Sequence, residues 1–246
     1  FGKSTNESYN RMIRYVSKAE KYLKNENSKK LKKIKYKKPA YSPGAIAPII
    51  RGIVSKENKY ILNFRTNRNI LDIINASTSH KFLAKGVVTP DHVIRIKPKI
   101  LVINISACLS IKNIEKKISS EVTKYKKNYI KYFKKYNKSS YRNTMLDPVP
   151  QIIAIQNMGI YSIGKNLSDA IINGDVAEMA IKTIGNIEKK SSFYSISMKE
   201  IFDVEYWSLE QAKLKKQSLP LLGSVTVVTG GSGTIGLATA KKFKQM

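Results

Sequence analysis

Cysteine is almost missing: Cys108 stands alone in 246 residues, so no internal disulfide can form. A reduced, cytoplasmic compartment is the expectation. Histidine is nearly as scarce. With His80 and His92 the only imidazoles, and both far from Cys108, no spacing resembles a zinc site. A catalytic thiol needs a basic neighbour; Cys108 instead follows the apolar run 100–105 and reads as a small buried residue. Long apolar runs are absent too. Ala45 to Val54, the best candidate, is broken by Pro48 and Arg51 and falls well short of the roughly 18 residues that span a bilayer. No membrane partner is expected. The first residue is Phe1 and the last, Met246, falls early in a helical pattern, so an internal piece of a longer protein is the expectation.

Acidic residues are outnumbered, 17 against 45 basic, for a formal charge of +28. A nucleic-acid surface wants basic groups on one face and favours Arg for its bidentate fork. Here 38 of the 45 are Lys and 7 are Arg, while Ile (32) and Asn (18) are also inflated. Lys, Ile and Asn share adenine- and thymine-rich codons, so base composition accounts for the trio. We expect solvated lysines and no nucleic-acid partner. A basic nucleic-acid module stays open as the alternative.

What is present is alternation of helix and strand patterns, which argues for α/β architecture. Ser4 to Asn25 reads as an amphipathic helix, with Ser4 and Glu7 at capping-box spacing and Tyr9, Met12, Ile13, Val16 and Leu23 at helical intervals. Residues 26–38 are dense in lysine and read as a solvated linker or loop. Pro43 opens a short helix. Residues 59–65, 98–105 and 151–156 are strand candidates, and 70–76, 110–137 and 168–188 are helices. In 110–137, Ile111, Ile114, Ile118, Val122, Tyr125, Tyr129, Tyr132 and Tyr136 form one stripe that reads as packing.

One motif carries chemistry. The strand candidate Val225-Thr226-Val227-Val228 runs directly into Thr229-Gly230-Gly231-Ser232-Gly233-Thr234-Ile235-Gly236, and a helix starts at Leu237. Glycines let a backbone turn tightly and approach a pyrophosphate, and the helix N-terminus offers unpaired N–H groups and about half a positive charge. Placement between strand and helix is what makes such a run informative.

This octet resembles the nucleotide-binding loop of short-chain dehydrogenases; Gly233 fits the TGxxGxxG spacing of extended members, with Thr234 where a glycine is commoner. Thr89-Pro90-Asp91-His92, Met145-Leu146-Asp147-Pro148, Phe202-Asp203-Val204-Glu205-Tyr206-Trp207 and Leu221-Leu222-Gly223 extend the resemblance to fusions of a class II aldolase with a short-chain dehydrogenase. Phe1-Gly2-Lys3 is similar to the segment after the zinc-binding His-Gly of class II aldolases. The resemblance implies zinc-dependent cleavage of a phosphorylated ketose, typically rhamnulose 1-phosphate, and oxidation of the lactaldehyde with NAD or NADP in a homo-oligomer. It places the zinc ligands and the dehydrogenase Tyr-x-x-x-Lys pair outside this sequence, so the chain alone should catalyse neither step. The implied fold is an aldolase-like α/β middle domain followed by the first βα unit of a Rossmann-type dehydrogenase. Its divisions are 1–42 (aldolase helix and linker), 43–190 (connecting α/β domain), 191–222 (linker) and 223–246 (start of the dehydrogenase).

Two further features stand out. Gly2-Lys3 with Glu7 recurs as Gly164-Lys165 with Asp169. Asn157-Met158-Gly159 resembles the aldolase Asn-His-Gly run with Met158 in the metal ligand's place, which suggests a second aldolase-like unit without its metal; coincidence of two helix starts is the rival. His92 beside Asp91 could serve acid–base work or merely cap a turn. A non-catalytic connecting scaffold is the third reading of the whole.

Overall fold

A computed structural model of the protein describes residues 1–25, 28–108, 110–137, 143–212 and 219–246. Ten helices occur among them. They are α1 (Thr5–Asn25), α2 (Pro43–Val54), α3 (Arg68–Ile74), α4 (Ser79–Phe82), α5 (Val93–Ile96), α6 (Ile111–Tyr136), α7 (Leu167–Glu188), α8 (Met198–Glu205), α9 (Ser208–Ala212) and α10 (Thr234–Gln245). The strands β1 (Ile61–Arg65), β2 (Leu101–Ile103), β3 (Ile152–Ile155) and β4 (Gly159–Gly164) form one sheet in the order β1-β4-β3-β2. β2 runs parallel to β3; the other two pairings are antiparallel.

The sheet is sandwiched between helical layers, which is why β3 and β4 are apolar at nearly every position and buried throughout. Successive side chains point to opposite faces. Ile152 and Ala154 join Ile70, Ile74, Ala177, Ile181 and Ile184 of α3 and α7 on one side. Ile153 and Ile155 join Ile46, Ile50, Ile114, Ile118 and Val122 of α2 and α6 on the other. The side chain of Ser42 accepts from the Ala45 N–H to start α2, and Ser110 does the same for Asn113 at α6. The α6 stripe packs as expected from Ile114 onward, while Ile111 is exposed: Tyr125 and Tyr129 are buried, and Tyr132 and Tyr136 meet Phe202 with ring centres 5.6 and 6.0 Å away.

β4 escaped the sequence reading because it is six residues bounded by glycines and follows β3 through a tight turn. That turn needs positive φ at Asn157 (65°) and Gly159 (150°). A Cβ on Gly159 would lie 2.4 Å from the Arg65 carbonyl oxygen of β1. Gly159→Ala should therefore destabilise the protein by about 2–3 kcal/mol, read as a lower urea midpoint with unchanged m-value.

α1 forms as the amphipathic helix expected, and its apolar positions are not covered: Tyr9 is 59 % exposed and Val16 61 %. Residues 28–38 form a mostly exposed loop, held at two points by Ile34 N–H donating to Asn75 O and Ser77 N–H to Lys32 O, both at 2.8 Å; Glu26 and Asn27 lie outside the described residues. Val225-Thr226-Val227-Val228 is no strand. It finds no ladder partner among the described residues, and Val225 and Val227 are 66 % and 87 % exposed. A buried-type strand needs neighbours to accept its hydrogen bonds, and the expected Rossmann βα unit is not seen among the described residues. Among the described residues no helix is long and apolar enough to cross a membrane.

Candidate functional site

The glycine loop turns at Gly230, whose φ is +64°, and closes with the Gly233 N–H donating to Gly230 O at 3.0 Å. Gly233 is the N-cap of α10, and no side chain caps that helix. The first-turn N–H groups therefore face outward with the positive end of the helix dipole. A Cβ at Gly236 would stand 2.2 Å from Gly230 O, so the turn can lie on the helix only because that position is bare. These features fit a pyrophosphate. Thr229 to Gly236 are thus gathered in one exposed turn, while the extended residues before it lack the sheet that would bed the rest of a dinucleotide.

The loop is tethered to the α/β domain at Gly223. This residue is buried, has φ +73°, and would place a Cβ 2.6 Å from Lys59 O. Arg51 of α2 donates through Nε to Tyr60 O (2.8 Å) and through a terminal nitrogen to Gly223 O (3.0 Å). Lys59 Nζ donates to Ser224 Oγ at 3.0 Å.

A second constellation lies inside the α/β domain. Lys97 is 4 % exposed and has φ 60°, ψ 174°, a backbone region that glycine normally occupies. Its ammonium sits 3.7 Å from the centre of the Tyr129 ring and 3.9 Å from a carboxylate oxygen of Glu205, which is fully buried. Lys97 Nζ makes no hydrogen bond among the described residues. Tyr129 donates to Glu205 at 2.7 Å and shares a 2.8 Å contact with the Tyr206 hydroxyl, which accepts from Leu146 N–H at 3.3 Å. Burial pushes Lys97 down to about 8, against the pull of Glu205 and Asp147. Burial also pushes Glu205 up, opposed by Lys97 and by the Tyr129 and Tyr132 hydroxyls. Burial raises Tyr206 to about 12. A capping box of Ser197 and Glu200 starts α8 and so orients Glu205 and Tyr206 on its last turn and cap. Asp147 accepts from Tyr60 OH and Asn58 Nδ2, both at 2.7 Å.

The sequence reading singled out the segments containing Leu146–Asp147 and Glu205–Tyr206 by resemblance, and the fold brings them together. Lys97 was missed. One lysine among 38 carries no signal, and its strained backbone is invisible without coordinates. The 3-10 turn Pro90–His92 packs against α8; His92 is buried, and its Nδ1 has no partner among the described residues. His80 is exposed. Cys108 is half-buried against the α2–α6 side of the core. Met158 packs in that same core, its sulfur 3.4 Å from the Tyr161 hydroxyl. Tyr161 and Lys165 have Tyr-x-x-x-Lys spacing, but the Tyr161 hydroxyl is committed to Pro43 O at 2.9 Å within β4's packing. Among the described residues no three His, Cys, Asp or Glu side chains gather as metal ligands.

Residues 42–214 match the family described as aldolase class II, second domain. The chain belongs to that family. Its span takes in α2 through α9, hence the sheet and the Lys97–Glu205 cluster, and ends before the glycine loop. The chain is also similar to the uncharacterized oxidoreductase YuxG of Bacillus subtilis, 25 % identical over 253 aligned positions that cover 99 % of this chain and 36 % of the relative. It thus spans about a third of that protein's length. No solved structure matches it. An aldolase-class domain and a relative named as an oxidoreductase fit a lyase or oxidoreductase parentage.

Proposed function

We propose that this chain is the connecting part of a fused enzyme that cleaves a phosphorylated ketose of the rhamnulose 1-phosphate type and oxidises the released aldehyde with NAD or NADP. The geometry of the loop 229–236 carries the reading: positive φ at Gly230, a bare Gly236 beneath it and an uncapped α10 N-terminus. The nicotinamide cofactor supplies the hydride acceptor. The chain's part is to receive its pyrophosphate on the N–H groups of Thr234 to Gly236, at the positive end of α10. Zinc belongs to an aldolase domain whose ligands lie outside this sequence. The family match and the oxidoreductase relative support the two halves of the reading.

The test is calorimetric titration of the full-length polypeptide with NAD and NADP, followed by reduction of the cofactor on adding rhamnulose 1-phosphate. Micromolar binding of one cofactor and sugar-dependent reduction are expected, and no binding by the 246-residue chain alone. Failure of the full-length polypeptide to bind either cofactor overturns the dehydrogenase half; binding without sugar-dependent reduction overturns the substrate.

A further inference from the structure

The start of α1 and the start of α7 are built alike, position by position. Gly2 lies six residues before Ser8, and a Cβ on it would meet the Ser8 backbone nitrogen at 2.7 Å and the carbonyl carbon of Glu7 at 3.1 Å. Gly164 lies six residues before Ala170, and a Cβ there would meet the Ala170 nitrogen at 2.3 Å and the carbonyl carbon of Asp169 at 2.8 Å. Two residues after each glycine comes the side chain that caps the helix. Ser4 Oγ accepts from Glu7 N–H at 3.2 Å, and Asn166 accepts from Asp169 N–H at 2.8 Å. Five residues after each glycine comes the first-turn acid, Glu7 or Asp169, and the helices run 21 and 22 residues. Two unrelated helix starts can share a Gly-Lys pair. Sharing the backbone approach, the cap, the acid and the length at one constant offset is a common design.

In α7 the design has a purpose. Gly164 ends β4, the close approach folds the chain straight back, and α7 then covers β4 and β1 with Ala170, Gly174, Ala177, Ile181 and Ile184. The same offset of 162 carries the last four of these to Met12, Tyr15, Ala19 and Tyr22 of α1. Met12, Tyr15 and Tyr22 are 53 %, 57 % and 65 % exposed, so α1 has a sheet-covering face without a sheet. The family's own description, a second domain, implies a first, and 64 % of the oxidoreductase relative lies outside the aligned region (100 % less the 36 % covered).

We infer that α1 is the counterpart of α7 in an upstream copy of the same α/β unit, and that its Met12–Tyr15–Ala19–Tyr22 face is the surface which that unit's sheet covers. This rests on the aldolase half of the proposed function and not on its dehydrogenase half. The occupant is an apolar sheet face of the same polypeptide. The larger side chains on α1 than on α7 require that sheet to stand farther from its helix.

Hydrogen exchange of the full-length polypeptide, beside that of the 246-residue chain, tests it. The α1 amides from Tyr9 to Leu23 should exchange at least 100-fold more slowly in the full-length polypeptide. Ala19→Glu, on the covered face, should abolish that difference and sugar-phosphate cleavage together. Lys21→Glu, an exposed position off the apolar side of the helix, should spare both. Equal α1 exchange in the two lengths overturns the inference, as does loss of protection from Lys21→Glu but not Ala19→Glu. Protection that rises with concentration in the 246-residue chain, alongside a dimer in light scattering, also overturns it and assigns the face to a second copy. A protected α1 in a polypeptide that cleaves no sugar phosphate removes the proposed activity and leaves the inference standing; cleavage with α1 unprotected does the reverse.

Discussion

Replacing Glu205 by Ala should lower the unfolding free energy by about 3–5 kcal/mol, because it leaves the Lys97 ammonium buried without its counter-charge. Lys97 is already 4 % exposed and makes no hydrogen bond among the described residues, so its desolvation is offset mainly by Glu205, with the Tyr129 ring and the more distant Asp147. Lys97→Met should also be destabilising, since it leaves the Glu205 carboxyl buried without the Lys97 charge. The double variant Lys97→Met, Glu205→Leu should be near wild type or above it, as an apolar pair of similar volume often is. The pH dependence follows from the two shifts. Lys97 falls from 10.5 to about 8 on folding. Below pH 8 it is charged in both states and contributes no slope. Between about 8 and 10.5 the unfolded chain holds a proton that the folded chain has released, so stability rises with pH there, by about 3 kcal/mol in all. Glu205 is raised above 4.5, so its contribution is full below 4.5 and is lost as pH climbs through its folded value. Stability due to the pair is therefore lowest between these windows. Urea unfolding of wild type and double variant at pH 5, 7.5 and 10 should show the variant's advantage greatest at 7.5. A difference that does not vary with pH would mean the pair does not titrate as its burial requires.

How much of this was legible in the sequence depended on whether the signal was local. The helix opened by Pro43, the long helix from Ser110 and the apolar β3 run are statements about neighbours along the chain, and each stands where the pattern placed it. β4 was lost because its neighbour is what makes Gly-Ile-Tyr-Ser-Ile-Gly a strand; alone, two glycines five positions apart read as turns. Val225 to Val228 failed in the opposite sense. Its β-branched residues have every local preference for a strand, and the hydrogen-bond partners that convert preference into a ladder are missing from the sheet formed here. Lys97 belongs to a third kind. Its character comes from Tyr129 and Glu205, 32 and 108 positions away (129 less 97 and 205 less 97), and no periodicity reports on a contact of that range.

The glycine loop offers the sharper test of function, because its two key glycines should fail for different reasons. In the full-length polypeptide Gly236→Ala should weaken NAD or NADP binding at least about 100-fold. The new methyl would overlap Gly230 O, 2.2 Å from its ideal position, and the turn would have to lift off α10 and open the ring of N–H groups. Nothing stands within 4 Å of a Cβ at Gly230, so the cost there is the backbone alone: φ is +64°, which β-branched residues strongly resist. Strain of about 1–3 kcal/mol predicts a loss of roughly 5–150-fold for Gly230→Val. Asn enters the left-handed region far more readily, so Gly230→Asn should recover most of the lost affinity, whereas Gly236→Asn should recover none. Gly52, whose Cβ also meets nothing within 4 Å and which lies on α2 outside the loop 229–236, supplies the control: Gly52→Ala should leave cofactor affinity unchanged. Calorimetric titration of the five variants checks the series. Equal losses for Asn at positions 230 and 236 would show that space, and not backbone conformation, limits both sites. Unchanged affinity in Gly236→Ala would remove the loop from the cofactor site altogether.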